Sequence, residues 1–176
     1  MSGHNKWSKI KHKKAATDAA KSKVFGKYAR LIAVESRLSG GDTSSPGLRA
    51  IIEKARTENM PKENIERAVA KGAGGEGGDL ESITYETYGP GGVAIIIETL
   101  TDSRNRTAAE IKHLLSKNGY ELAAPGSAAW AFTKDHAGYT PTSTTAVSAA
   151  DGEKLGDLLE KLEEHDDVQD VYTNAI

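Results

Sequence analysis

Residues 2–14, SGHNKWSKIKHKK, carry five lysines, two histidines, one tryptophan and no acidic side chain. Ammonium groups at this density neutralise phosphates and displace their counterions, so the first chemistry they offer is salt-dependent attraction to a polyanion. Trp7 adds an aromatic face on which an unpaired base can stack. Lys6, Trp7, Lys9, Lys11, His12, Lys13 and Lys14 are therefore candidate nucleic-acid-binding residues, and Lys21, Lys23, Lys27 and Arg30 extend the same basic character into the stretch that follows. The competing reading is a solvated tail in which Trp7 and Ile10 only staple the arm to a helical bundle. Uninterrupted positive charge, its continuation to Arg30 and the aromatic within it favour nucleic acid.

A secondary pair, Arg104 and Arg106, flanks Asn105 in TDSRNRTAAE, at the expected start of a helix. Cations there oppose the helix dipole, which points to a phosphate or partner contact, although simple surface solvation is the favoured explanation.

Other chemistries find little support. Seven residues separate His4 from His12 among lysines that repel a divalent cation, and His113, His136 and His165 are dispersed without ligand spacing, so no metal is expected. Asp166-Asp167 reads as a solvated turn, and Gly126-Ser127 lacks a nucleophile elbow. Gly72, Gly74 and Gly77 spell GxGxxG, but they follow a helix rather than a strand, and Glu76 and Asp79 would repel a pyrophosphate. The chain is thus expected to be non-enzymatic, with no cofactor and no small-molecule substrate.

The elements that must carry these residues follow from periodicity. Val24, Tyr28, Leu31, Ile32 and Leu38 predict a helix from Ala15 to Leu38 ended by Gly40-Gly41. Ser45-Pro46 opens a second helix with Leu48, Ile51, Ile52 and Ala55 inward, and Met60-Pro61 a third with Ile65, Ala68 and Val69 inward and Gly72 at its end. Strands are predicted at Thr84–Tyr88, Val93–Leu100, Ser127–Phe132, Thr144–Ser148 and Val168–Tyr172, with helices at Asn105–Asn118 and Asp151–His165. Within Ser127–Phe132, alternation places Ala128, Trp130 and Phe132 on one inward face. The expected fold class is α+β: a basic helical domain over 1–72, a Gly-rich linker over 73–82, and an acidic ferredoxin-like domain over 83–176, βαββαβ with an extra leading strand.

Charge divides along the same line. Through Gly72 there are 16 Lys and Arg against 7 Asp and Glu, a balance of plus 9; the remainder holds 7 against 18, a balance of minus 11. One end is suited to a polyanion while the other supplies solubility or a different contact. The longest apolar run, Val93–Ile97, is strand length, so no membrane association is expected. The absence of a secretory pattern and of cysteine predicts a cytoplasmic location.

Several stretches together resemble the YebC family, also called YebC/PmpR-type regulators, which includes a mitochondrial translational activator. They are GHNKWSKIKHKKAATDAAKSKVF, ENMPKENIERAVAKGAGG, YGPGGVAIIIETLTDSRNRT, APGSAAWAF and DDVQDVYTN. The resemblance implies a helical domain followed by α/β domains and a non-enzymatic role in gene expression. That role is either as a ribosome-associated factor that helps translation through stalling sequences, with rRNA the favoured partner, or as a regulator bound to promoter DNA. Family members typically insert a further α/β domain between the strand ending near Phe132 and the strand beginning near Thr144. Here only Thr133 to Ser143 bridges that gap.

Overall fold

The computed structural model describes residues 18–75, 80–135 and 138–176. They form two compact units, one running through Glu81 and the other from Ser82 to Ile176.

The first unit consists of α1 (Asp18–Ser39), α2 (Pro46–Thr57) and α3 (Lys62–Ala73). α1 stops where Gly40 and Gly41 take positive φ, 62° and 86°, and the Gly41 N–H returns to the Ser36 carbonyl at 2.8 Å. Proline begins α2, where its missing N–H costs no intrahelical bond. Ile32, Leu48, Ile52, Ala55, Met60, Ile65 and Ala68 close the core, with Phe25 and Tyr28 packed against it.

The inward face of α1 differs from the expected one. Val24 is 36% exposed and Leu38 77% exposed, whereas Ala33 and Ser36 are buried. Close contact with α3 selects small side chains here: a Cβ on Gly72 would lie 2.7 Å from the Ser36 Cβ and would strike the Ala33 carbonyl. The Ser36 hydroxyl donates to the Val69 carbonyl across the same seam at 2.7 Å. Gly72 is therefore a packing residue within α3 rather than its stop; the helix runs to Ala73, and Gly75 takes the positive φ.

The second unit contains β1 (Glu81–Tyr88), β2 (Ala94–Thr101), α4 (Arg104–Lys117), β3 (Leu122–Ala123), β4 (Phe132–Asp135), β5 (Gly138–Pro141), α5 (Ala149–Glu163) and β6 (Val168–Thr173). Its main sheet has the order β3-β1-β2-β6, while β4 and β5 form a separate antiparallel hairpin. Val93, Ile95 and Ile97 face α4 and α5 through Ile111, Leu115, Leu155, Leu158, Leu159 and Leu162. Ala94 and Ile96, with Tyr172, face the opposite way onto Ala128, Ala131 and Phe132. Burial on both faces explains why residues 93–97 are apolar without alternation.

The α+β class and the two helices on one sheet face match the expectation, and the strands are redistributed. The leading strand lies inside the sheet between β3 and β2. Ser127–Phe132 is not a strand: Ala129–Ala131 form a 3₁₀ turn, and strand structure starts at Phe132. Thr144–Ser148 contributes only a single bridge, Thr145 to Ala175. Within the expected gap between these segments Phe132–Asp135 pairs with Gly138–Pro141 as the β4/β5 hairpin, whose Tyr139 packs on Phe132 and Tyr172 with ring centroids 6.2 and 5.4 Å away.

Candidate nucleic-acid interface

Lys6, Trp7, Lys9, Lys11, His12, Lys13 and Lys14 lie outside the described residues. The other primary candidates sit on α1, where the 3.6-residue repeat separates them into two groups. Lys23, Lys27 and Arg30, at i, i+4 and i+7, share one stripe. Lys21 is two residues before Lys23, so it points from the far side of the helix and is not brought together with them.

Arg30 borders a groove of about 380 Å³ between α1 and α3. Phe25, Ala29 and Met60 give the groove an apolar floor, Asn64 adds an amide, and Arg67 and Lys71 from α3 stand with Arg30 at its edge. The α1–α3 seam at Ala33, Ser36 and Gly72 fixes the spacing of the two walls. Arg67 and Lys71 were not among the sequence candidates. Their four-residue spacing in ENIERAVAKG was a usable signal, because on a helix it places both cations on one face.

The secondary candidates belong to a different arrangement. Arg106 is bound on the α/β unit by Asp167 at 2.8 Å, Asp102 at 3.0 Å and, more distantly, Glu110 at 3.9 Å. The Asp167 hydrogen bond, supported by its charge and by Asp102, holds the guanidinium above its ordinary pKa. These carboxylates offset the unfavourable helix dipole, so Arg106 has a structural explanation without a phosphate. Arg104, two residues earlier at the first position of α4, is exposed.

Asp167 is correspondingly not the solvated turn residue expected: its side chain is 4% exposed and accepts from Arg106 and, at 2.7 Å, from the Thr107 hydroxyl. His165 joins the cluster with Nε2 2.9 Å from Glu110, while its Nδ1 accepts from the Asp167 N–H at 3.2 Å. Glu110, His165 and Asp167 thus present ligand-type atoms within 4.8 Å of one another. The Arg106 guanidinium already supplies the cation that this group of acids requires.

Trp130 also departs from expectation. Placed inward by strand alternation, it is instead 61% exposed, because the 3₁₀ turn buries its neighbours Ala128 and Ala131 and turns the indole outward. Its Nε1 donates to the Tyr88 hydroxyl at 2.8 Å, and that hydroxyl donates to the Ser127 carbonyl. Beneath them the buried Glu86 carboxylate accepts from the backbone N–H groups of Gly126, Ala128 and Ala129 at 2.6, 2.7 and 2.8 Å. Burial alone would raise the Glu86 pKa, but these three donors outweigh it and leave the carboxyl below its usual value.

Both units match models of one family. The TACO1/YebC protein N-terminal domain matches residues 5–75, and the TACO1/YebC second and third domain matches 80–137 and 134–175. The chain belongs to the TACO1/YebC family. A probable transcriptional regulatory protein of Thermotoga petrophila is 40% identical over 236 aligned positions, which cover 99% of this chain and 93% of the relative. Another of the same description, from Trichlorobacter lovleyi, is 53% identical over 136 positions covering 76% of this chain and 55% of the relative. A crystal structure of a conserved hypothetical protein from Aquifex aeolicus superposes with a TM-score of 0.83 at 33% identity, covering 98% of this chain and 97% of that one.

This TACO1/YebC chain is short. Setting its 176 residues against the 236 aligned positions leaves about 60 positions of the Thermotoga protein without a counterpart. The second-and-third-domain match breaks at 134–137, where β4 meets β5, so the hairpin stands where relatives insert further chain.

Proposed function

We propose that this TACO1/YebC protein is a non-enzymatic RNA-binding regulator of gene expression, a cytoplasmic ribosome-associated factor that helps translation through stalling sequences. The supporting observation is the convergence of Arg30, Arg67 and Lys71 on one groove of the helical unit. Cations around a concavity bind phosphates through charge, and an apolar floor favours an unstacked strand over an intact duplex. The basic arm, with Lys6, Lys9, Lys11, Lys13 and Lys14, adds further phosphate contacts to the same reading. It draws on the helical unit and therefore does not depend on the segment this chain lacks.

Crosslinking in cells followed by sequencing of the bound nucleic acid tests it. Recovery dominated by rRNA, reduced when Arg67 and Lys71 are both changed to glutamate, is the expected result. Enrichment of promoter DNA without rRNA would replace it with the second reading, a DNA-binding transcriptional regulator, which the descriptions of the Thermotoga and Trichlorobacter proteins favour.

A further inference from the structure

We propose that the α1–α3 groove receives one unstacked base of a single-stranded nucleic acid, so that the helical unit distinguishes single strands from duplexes as well as attracting phosphates. This rests on the nucleic-acid reading above and goes beyond it in assigning the groove a ligand and a selectivity.

The groove combines two chemistries that phosphate binding alone does not need. Arg67 and Lys71 suit a phosphate, but Phe25, Ala29 and Met60 offer it nothing; those side chains suit the flat, weakly polar face of a base. About 380 Å³ lies within the range of small-ligand sites and leaves room for a base with part of its sugar. Asn64, half-buried in the wall, carries both a donor and an acceptor, the pattern that base edges present.

Gly26 is the second observation. It sits in the interior of α1, where glycine destabilises a helix by roughly 0.5–1 kcal/mol relative to alanine. No close backbone contact requires it, since a Cβ built there meets nothing within 4 Å. It does line the groove, so the missing side chain leaves space on the wall next to Phe25. A paired, stacked base cannot enter such a groove without being flipped, which costs a few kcal/mol in a duplex and much less in a single strand.

The test uses the full chain and fluorescence anisotropy with three probes: a short oligouridine, the same backbone with abasic sites, and a duplex RNA of equal length. The wild-type protein should bind oligouridine about tenfold more tightly than the abasic strand, the contribution expected of one stacked base. Gly26→Leu adds bulk to the groove without altering charge, its Cβ meeting no neighbour within 4 Å, and should bring oligouridine down to the abasic level while leaving duplex binding unchanged. Ala29→Leu fills the same space from the next turn and serves if Gly26→Leu does not fold. Equal binding of oligouridine and abasic strand by the wild type, or filled-groove variants that retain the preference or weaken all three probes equally, would overturn the base site. If Arg67→Glu still weakens every probe in that case, the basic-surface reading stands without it. Failure of the wild type to bind any probe would overturn both.

Discussion

The two units differ in where their cations gather, though each holds local ion pairs, Arg56 with Glu53 at 2.6 Å and Lys62 with Glu66 at 3.5 Å on the helical unit among them. On the α/β unit, Arg106 is held by Asp102 and Asp167, Lys134 reaches Glu98 at 3.1 Å beside Tyr139, and Lys161 donates to Asn118 at 2.6 Å. On the helical unit, Arg30, Arg67 and Lys71 come from two helices to the edge of one groove. Their packing differs at one seam. The α/β unit buries its sheet under large aliphatic side chains on one face and under alanines, Phe132 and Tyr172 on the other, whereas the helical unit, with an aliphatic core of its own, closes α1 on α3 through Ala33, Ser36 and Gly72. Small residues bring helices close enough to fix the walls of a groove, while large ones fill the space a groove would need. Net charge locates the basic half, but convergence of cations on a concavity makes that half a candidate interface.

The largest expected effect breaks this contrast on the basic side. Arg67→Glu with Lys71→Glu should weaken nucleic-acid binding more than tenfold and reduce the salt slope by about one per lost phosphate contact, read by titrations at several salt concentrations. Reversal of Lys154 and Lys161 on the acidic unit should change neither quantity.

Next is core packing. Leu159→Ala, at a side chain with no exposure, should cost about 3–4 kcal/mol in urea unfolding, because the surrounding layers cannot collapse into the cavity. Gly72→Leu should disrupt the helical unit instead, since even a Cβ there would strike the Ala33 carbonyl and the Ser36 side chain, and it should be visible as lost helical signal in far-UV circular dichroism.

The acid response comes third. Glu86 has a folded pKa below its unfolded one, so its contribution is complete above the ordinary value of 4.5 and is lost as pH falls through the lower folded value. Glu86→Gln should reduce stability at neutral pH and flatten this acid limb. Trp130 emission in a Trp7→Phe background reports on the same loop, and an unchanged acid limb would count against Glu86 as its anchor.

The smallest effect is at Ser148, which caps α5 by accepting from the Asp151 N–H at 3.1 Å. Ser148→Ala should cost about 1 kcal/mol in the same urea assay and leave nucleic-acid affinity unchanged.

Much of this organisation is legible residue by residue. Pro46 and Gly40-Gly41 mark helix ends through φ preferences that act locally, and Ile111, Leu115, Leu155 and Leu162 mark buried helix faces through spacing alone. Trp130 was misplaced because alternation cannot tell a strand from a turn held by a distant carboxylate; Glu86 lies more than forty residues away. The face of α1 was misjudged because Ala33 and Ser36 carry no hydrophobic signal, although they make the closest contact with α3.

The candidate interface was legible only in part. Arg30 and the basic stripe follow from residue type and helical period, whereas Arg67 and Lys71 matter because α3 packs beside α1. Arg106 carries the same charge as Arg67 and serves a different end, because Asp167 reaches it from sixty-one residues away.

The basic and acidic halves, the order of most helices and strands and membership of the TACO1/YebC family are readable along the chain, because charge, φ preference and apolar spacing are local properties. Folding sets which cations meet at the groove and which are held by Asp167 and its neighbours, turns Trp130 outward, and lays a separate hairpin on one face of the sheet where relatives insert further chain. Those outcomes depend on short-range contacts between residues far apart in sequence, and such contacts exist only once the chain has folded.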